Sequence, residues 1–201
     1  MKSPKILSSL FISALILLSF LSVFVVPTNA ITAQTVDISS AVSGQAQWIT
    51  YDSATNTAWI SVGVSASNLY KVNLATVLAQ GVGAVTGYTG ILGNACGGSL
   101  ADGPAAAVML GGYLWVTSWY STNCIGVSKI DSSGTVLNTF TYSGPIDART
   151  IGTDGTDLII GAYQKILKMT QTGTFTVLAS TSGDVTSLVV SGSIVWFTQG
   201  G

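Results

Sequence analysis

After residue 30 the chain alternates between short apolar runs and short polar clusters, and this pattern continues to its last residues. The apolar runs are rich in Val, Ile, Thr, Tyr and Trp, whereas Gly, Asn, Asp and Ser separate them. Runs of this length and composition are typical of β-strands. Beyond the first thirty residues, no segment of ten or more keeps a helical period. The pattern therefore predicts an all-β fold.

One motif occurs four times along the chain: an apolar strand, a polar or Gly-containing turn, and a second apolar strand. The second strands align at Trp59, Trp115, Ile159 and Trp196, with spacings of 56, 44 and 37 residues. Those spacings bracket the roughly 40–45 residues of a four-stranded propeller blade. We therefore predict a β-propeller-like domain of about four blades over residues 31–201.

Three of the four units are predicted to hold four strands each, and the last unit holds two. The predicted strands of the three complete units are 46–51, 58–64, 69–73, 76–81, 105–110, 113–119, 124–130, 135–142, 149–152, 157–162, 165–169 and 174–179. We predict strand or loop, not helix, at 74–80 because Thr76 and Val77 are β-branched. The Gly-rich residues 82–103 are predicted to form a long insertion without strands.

The unfinished fourth unit raises the question of how the ring closes. A strand at 32–38 is predicted to pair with the last unit and close the ring, which would remove exposed strand edges. The alternative is an incomplete ring, in which residues 189–198 form an exposed edge. Such an edge would be a surface for strand addition or self-association.

The first thirty residues have the layout of a secretory signal peptide. Lys2 and Lys5 precede an uncharged, mostly apolar run at residues 6–26, and small residues lead up to Ala30. The apolar run approaches the roughly 20 residues that span a bilayer, so an uncleaved N-terminal membrane anchor is the alternative. In both cases residues 31–201 are predicted to be secreted or to lie on the extracellular face of the membrane.

The composition is poor in charge and lacks His and Glu altogether. Only 7% of the residues are charged, against roughly 25% in ordinary domains. We do not expect nucleic-acid binding, because it depends on clustered Lys and Arg side chains, which this sequence lacks. A surface of this kind is typical of an exported protein from an acidic or hot habitat, such as an archaeal one. It equally suits a secreted β protein whose surface consists of hydroxyl residues.

Cys96 and Cys124 are the only cysteines in the chain. In an oxidising compartment an isolated pair indicates one disulfide. It would connect the Gly-rich insertion to the strand that begins at Cys124. The alternatives are two free thiols or half of a metal site, although two Cys without His do not complete a zinc site.

The third unit resembles a known repeat. Residues 143–146, 151–159 and 165–174 resemble the repeat of virginiamycin B lyase-like and NHL-type β-propellers, and Val195–Thr198 resembles its "LWFT" strand. This resemblance implies a propeller fold. The lyase members use a His and an acidic residue beside a metal ion, and this chain has neither His nor Glu. We therefore expect no catalytic residues, no metal and no cofactor.

Two pairs of residues are candidates for ligand binding. Trp119 and Tyr120 precede a Ser-Thr-Asn loop, and aromatic rings beside hydroxyl and amide groups are used in binding carbohydrates or peptides. Asp147 and Arg149 lie two residues apart before an inner strand, where a channel ligand could dock. The alternatives are packing for the aromatic residues and a structural ion pair for the charged ones.

The segment 154–157, with the sequence Asp-Gly-Thr-Asp, has two interpretations. Its carboxylates suit calcium, but the remaining acidic positions of a calcium loop are missing. A tight turn between two strands explains both its Asp and its Gly residues. We favour the turn.

Taken together, these features predict a secreted or surface-exposed, non-catalytic protein that acts by binding or as a structural element. Its ligand or protein partner cannot be read from the residues. The alternatives are a lyase-like or lactonase-like propeller enzyme with a bound metal, and a filament or surface-layer subunit. The subunit would assemble through an exposed strand edge.

Overall fold

The computed structural model describes residues 35–42, 44–62, 68–92, 103–118, 124–144 and 147–200. Contacts group the residues from Val36 onward into one compact unit. Within the described ranges, no helix has the length and apolar character needed to cross a membrane. The predicted signal or anchor segment, residues 1–30, lies outside them.

The described residues form fourteen strands in four antiparallel sheets, each of which follows the order of the chain. Sheets 1 to 3 have four strands each, and sheet 4 has two. The strands are β1 (Ala46–Asp52), β2 (Thr57–Val62), β3 (Asn68–Asn73), β4 (Val85–Tyr88), β5 (Pro104–Leu110), β6 (Tyr113–Ser118), β7 (Cys124–Ile130), β8 (Val136–Ser143), β9 (Ala148–Thr153), β10 (Leu158–Ala162), β11 (Lys165–Met169), β12 (Phe175–Ser180), β13 (Asp184–Ser191) and β14 (Ile194–Gly200).

The sequence prediction was wrong for the fourth strand of sheet 1. Residues 77–80 form a short helix, α1 (Val77–Gln80), followed by a 3₁₀ turn (Gly81–Ala84), and β4 begins only at Val85. The Asn73 side chain accepts a hydrogen bond from the Ala75 N–H at 3.0 Å, and the Thr76 carbonyl accepts one from the Gln80 N–H at 2.9 Å. This local turn outweighs the β-strand preference of Thr76 and Val77. The prediction that residues 82–103 contain no strand was also wrong, because β4 lies within them.

Successive sheets meet through their first strands: β1 contacts β5, β5 contacts β9, and β9 contacts β13. The Thr50 hydroxyl donates to the Ala107 carbonyl at 2.6 Å, and the Ser61 hydroxyl donates to the Ala105 carbonyl at 3.0 Å. Ser61 pairs with Trp48 across sheet 1, so β1 and β5 run in the same direction. Parallel first strands place equivalent residues of successive sheets beside each other.

The core consists of separate layers between neighbouring sheets. One cluster joins sheets 1 and 2, a second joins sheets 2 and 3, and a third joins sheets 3 and 4. A fourth cluster lies on the face of sheet 1 that points away from sheet 2, where Ile38 and Val42 pack against buried residues of β2 and β3. Each sheet therefore depends on its neighbours to bury its two faces.

The predicted closing strand is wrong for the part of it that the structure describes. Residues 35–38 form no strand, and β13 and β14 have no third partner among the described strands. The Asp37 carboxylate accepts a hydrogen bond from the Ser39 N–H at 2.9 Å. The Ile38 carbonyl accepts one from the Ala41 N–H at 2.9 Å. These local bonds turn the chain onto the face of sheet 1 that points away from sheet 2.

The turn between the third and fourth strands is the same in sheets 2 and 3 and packs against the preceding sheet. A Cβ placed on Gly134 would lie 2.1 Å from the Tyr88 ring, and one on Gly173 would lie 2.1 Å from the Phe140 ring. Both glycines have a positive φ, at 89° and 92°. Gly is therefore required there for its backbone conformation and for its lack of a side chain.

We predict that Gly173→Ala destabilises the fold more than Gly155→Ala. Both residues have φ of 92°, but nothing lies within 4 Å of a Cβ placed on Gly155. Gly155→Ala should lower the free energy of unfolding by about 1–2 kcal/mol, the cost of a left-handed conformation. Gly173→Ala should lower it by a further ~1–3 kcal/mol because its methyl group displaces Phe140. Urea unfolding measures both values, and equal losses would contradict the packing.

Candidate functional site

Only one of the two predicted ligand pairs can be placed. Trp119 and Tyr120 lie outside the described residues, so their role in binding stays a prediction. Arg149 lies on β9, and its guanidinium Nη2 is 3.3 Å from Asp147 Oδ2 and 3.1 Å from Asp184 Oδ2. Since Asp184 begins β13, these ion pairs connect sheet 3 to sheet 4. Ligand binding by Asp147 and Arg149 also stays a prediction.

The segment 154–157 is a turn in which backbone groups and one lysine surround the carboxylates. Asp154 Oδ1 accepts hydrogen bonds from the N–H groups of Asp157 and Thr156, at 2.7 and 2.9 Å. Lys168 Nζ lies 2.8 Å from Asp157 Oδ2 and 3.4 Å from Asp154 Oδ2. In the part of the chain that the structure describes, no three potential metal-ligating residues are grouped closely enough to hold a metal ion.

Cys124 begins β7 and is buried. It is not a free thiol. Because Cys96 lies outside the described ranges, the predicted Cys96–Cys124 disulfide stays a prediction.

The second strand of every sheet carries a large apolar residue at one equivalent position, and in sheets 1 to 3 this residue faces the next sheet. This position, which we call the repeat position, is held by Trp59, Trp115, Ile159 and Trp196. In sheets 1 to 3 it is 1%, 0% and 2% exposed, whereas Trp196 is 65% exposed. The final sheet therefore presents to solvent a large apolar residue at the position that the other sheets bury.

A second position receives this residue from the preceding sheet. It lies on the first strand, one residue before the cross-strand partner of the repeat position, and we call it the receiving position. Ala107, Ile151 and Leu188 hold it in sheets 2 to 4 and are 4%, 3% and 6% exposed. Each shares a hydrophobic cluster with the repeat residue of the sheet before it. In sheet 1 the receiving residue is Ile49, which is 65% exposed.

These two unmatched positions define two apolar surfaces. The terminal face is the side of sheet 4 that carries Val189, Ile194 and Trp196, all of which are exposed. The initial face is the side of β1, in sheet 1, that points away from sheet 2. It carries Ile49 and Tyr51, which are also exposed. Exposed apolar patches of this kind mark interaction sites. We take the two faces as the candidate functional site.

The initial face was not among the residues selected from the sequence, and the terminal face was covered only by the alternative of an exposed strand edge at residues 189–198. The alignment of Trp59, Trp115, Ile159 and Trp196 already shows that the last unit keeps the bulky apolar residue of the others. Only the structure shows that three of the four are covered and that the fourth has no cover. The exposed edge predicted at residues 189–198 falls on the same sheet, but its aromatic face was not anticipated.

A groove of about 230 Å³ lies between sheet 3 and the turn that joins β13 to β14. Ile159, Leu178 and Val195 give it apolar walls, and Asp154 and Lys168 lie at its border. The Lys168 ammonium group is already paired with carboxylates. The groove lies alongside a two-stranded sheet whose neighbour has four strands, so we attribute it to the narrowness of sheet 4.

Comparison with solved structures identifies the architecture. The WD40 domain of Pan2 from Neurospora crassa superposes with a TM-score of 0.57 at 13% identity, over 78% of this chain and 44% of that one. WD40 domains are β-propellers. This chain has a β-propeller-like fold. No family model and no curated protein sequence matches it, so the resemblance to the virginiamycin B lyase-like repeat stays a prediction.

Two further structures give the same result. BamB from Moraxella catarrhalis has a TM-score of 0.51 at 13% identity, over 78% of this chain and 47% of that one. A protein of unknown function from Bacteroides caccae has a TM-score of 0.52 at 11% identity, over 73% and 50%. The chain therefore spans about half the length of the solved structures that it resembles, and identities this low show the fold alone.

We predict that thermal stability stays nearly constant from pH 7 to about pH 4.5 and falls only below that. The backbone N–H groups of Asp157 and Thr156 hold the pKa of Asp154 below its ordinary value of 3.8. The Ser133 hydroxyl and the Thr135 N–H do the same for the pKa of Asp131. A lowered pKa in the folded state stabilises the fold above the unfolded-state value, and this contribution is lost as the pH falls through the folded-state pKa.

Melting temperatures of the wild type and of Asp131→Asn and Asp154→Asn, taken between pH 7 and pH 2, measure this effect. Each variant should melt below the wild type at pH 7, and the difference should shrink at pH 2. A large loss of wild-type stability between pH 7 and pH 5 would contradict the prediction. In that range the chain has no His or Glu side chain to titrate.

Proposed function

We propose that the protein is an exported, non-catalytic, propeller-like protein that acts by binding another protein surface at the cell exterior. The observation that carries this proposal is the exposure of Trp196 at a position that sheets 1 to 3 bury. Large aromatic side chains in the centre of an apolar patch contribute much of the binding energy of protein interfaces. The terminal face also lacks charged side chains, which would resist desolvation.

The arrangement of the carboxylates supports a non-catalytic role. Each Asp in the described ranges makes a structural bond: four lie in turns or next to Lys168, one is the last residue of β1, and two pair with Arg149. They are Asp37, Asp131, Asp154, Asp157, Asp52, Asp147 and Asp184. General acid–base catalysis near neutral pH needs a group whose pKa lies close to the working pH. The pKa values of Asp37, Asp131 and Asp154 are lowered from their ordinary value, which moves them further from neutral pH.

The sequence at the N-terminus supports export. A charged n-region, an apolar stretch at residues 6–26 and small residues before Ala30 are what a secretory pathway recognises. In an oxidising exterior the Cys96–Cys124 disulfide would be stable. Export also fits the surface composition, which relies on hydroxyl and amide groups and not on charge.

A photo-crosslinking experiment tests the proposal directly. We expect a photoreactive phenylalanine at position 196 to form cross-links on the outside of the source cells, because the terminal face is covered there by a partner. The same residue at position 163 is the control, since Tyr163 is also exposed but lies in the β10–β11 turn. Protease added to intact cells should degrade the cross-linked product.

Two results would contradict the proposal. One is an absence of cross-links specific to position 196, and the other is retention of the protein inside the cells. The export arm has its own matched pair: Leu17→Arg should block export and leave reactive thiols, whereas Leu17→Ile should do neither. Thiol labelling of the exported wild type therefore also tests the predicted disulfide.

A further inference from the structure

We propose that the partner on the terminal face is the initial face of a second copy of this chain, and that two such contacts close a ring of two copies. The inference rests on the proposed function, because it names the partner of the same surface. Trp196 of one copy would pack against Ile49 of the other, and the reverse contact would form across the two-fold axis. The ring would contain eight sheets, four from each copy.

The first argument is the match between unpaired positions. Three repeat residues are buried against three receiving residues within the chain, and one of each kind remains exposed. Ile49 is apolar, as are the three receiving residues Ala107, Ile151 and Leu188. Its sheet neighbour Ile60, which corresponds to Val116 and Ile160, is already buried within its own chain. The initial face therefore offers Ile49 as the receiving residue for a tryptophan.

The second argument is the match in width. Sheet 4 has two strands, so it can cover only the inner half of another sheet. On this face of sheet 1, β2 and β3 are already covered, because Ile38 and Val42 pack against the cluster of Ile60, Val62, Tyr70 and Val72. Strand β1, with Ile49 and Tyr51, is left uncovered. The uncovered strip is one strand wide, so a two-stranded sheet is enough to cover it.

The narrowness of sheet 4 agrees with the residues of sheet 3. Tyr88 pairs with Leu69, and Phe140 pairs with Val127, at the position where each ring contacts the Gly turn of the following sheet. In sheet 3 this position, opposite Ile166, is held by Ala179. Sheet 3 thus lacks the aromatic ring against which the outer strands of a wider sheet would pack.

The chemistry of the two faces is compatible with close packing. The terminal face contains Ser187, Val189, Ser191, Ile194, Trp196 and Thr198, and the initial face contains Ile49, Tyr51 and Ala58. No charge would be buried when they meet, so the desolvation cost is small. The parallel first strands and the side-by-side contact of sheets within the chain supply the geometry that β13 and the partner's β1 would repeat.

The number of sheets supports two copies. The four described sheets of each copy give eight sheets in a ring of two, and twelve in a ring of three. Propellers of four to eight blades are common. A head-to-tail contact forms a ring when its rotation closes and a filament when it does not. A ring of two lies within the common range of blade numbers, whereas a ring of three does not, so the ring of two is the assembly we propose.

Analytical ultracentrifugation of the purified, exported full chain tests the ring. We expect a species of twice the chain mass that dissociates on dilution without larger assemblies. Trp196→Asp and Ile49→Lys should each raise the dissociation constant at least about 30-fold, the effect of removing a hot-spot residue. Leu137→Asp is the control, since Leu137 is similarly exposed but lies on an outer strand. It should leave the dimer intact.

Mixing the two disrupted variants distinguishes this contact from all others. The Ile49→Lys chain keeps Trp196, and the Trp196→Asp chain keeps Ile49, so together they retain one native contact. In the other contact the introduced lysine faces the introduced aspartate, which is a pair of opposite charges. An equimolar mixture should therefore form dimers at concentrations where each variant alone is monomeric. A contact between two terminal faces would give no such rescue, and Ile49→Lys would not disrupt it.

The remaining outcomes overturn the inference. A wild type that is monomeric at every concentration, or one that forms a ladder of trimers and larger species, would exclude the closed ring. Both results are distinguishable from failure of the proposed function. Cross-links at position 196 to a different protein, with a monomeric purified chain, would leave the binding role standing and remove the second copy as its partner. Intramolecular closure would protect Trp196 in a monomer and would also overturn the inference.

Discussion

The structure depends on one constraint: no sheet of this fold can bury both of its faces by itself. Each second strand projects an apolar residue toward the next sheet, and each first strand receives one from the sheet before it. Trp59 and Trp115 are almost fully buried only because a neighbouring sheet lies over them. Free energy from apolar burial therefore arises at the joints between sheets, and the two ends of the series carry unsatisfied halves of such a joint.

Polar groups serve the same arrangement. Thr50 and Thr150 form hydrogen bonds between first strands, and Ser61 forms one from a second strand to the first strand of the next sheet. These bonds satisfy buried polar groups and fix the position of one sheet relative to the next. Charged residues are few, and the carboxylates are used mainly in turns and ion pairs. Lys71 and Lys129 lie over the rings of Trp59 and Trp115, at 5.4 and 5.3 Å, so these side chains also cover the aromatic residues of the joints.

Much of the fold was predictable because strands in this chain are short, apolar and separated by clear turn residues. The strands Cys124–Ile130 and Lys165–Met169 were predicted with the bounds that the structure has. The errors arose where local hydrogen bonding competes with strand propensity, at Asn73 to Gln80 and at Asp37 to Ala41. The candidate site was less accessible to sequence reasoning. Ile49 and Trp196 are ordinary core residues in their own strands, and only the absence of a neighbour makes them surface residues.

The paired use of Gly134 with Tyr88 and of Gly173 with Phe140 has an evolutionary consequence. A four-stranded unit carries the Gly turn that fits the ring before it, and sheet 2 carries in addition a ring that fits the turn after it. Duplication of such a unit copies both halves of the joint at once. Duplication or loss of a unit can therefore change the number of sheets without requiring a new complementary surface. Ala179 holds the equivalent position in sheet 3, which therefore carries the Gly turn without the ring.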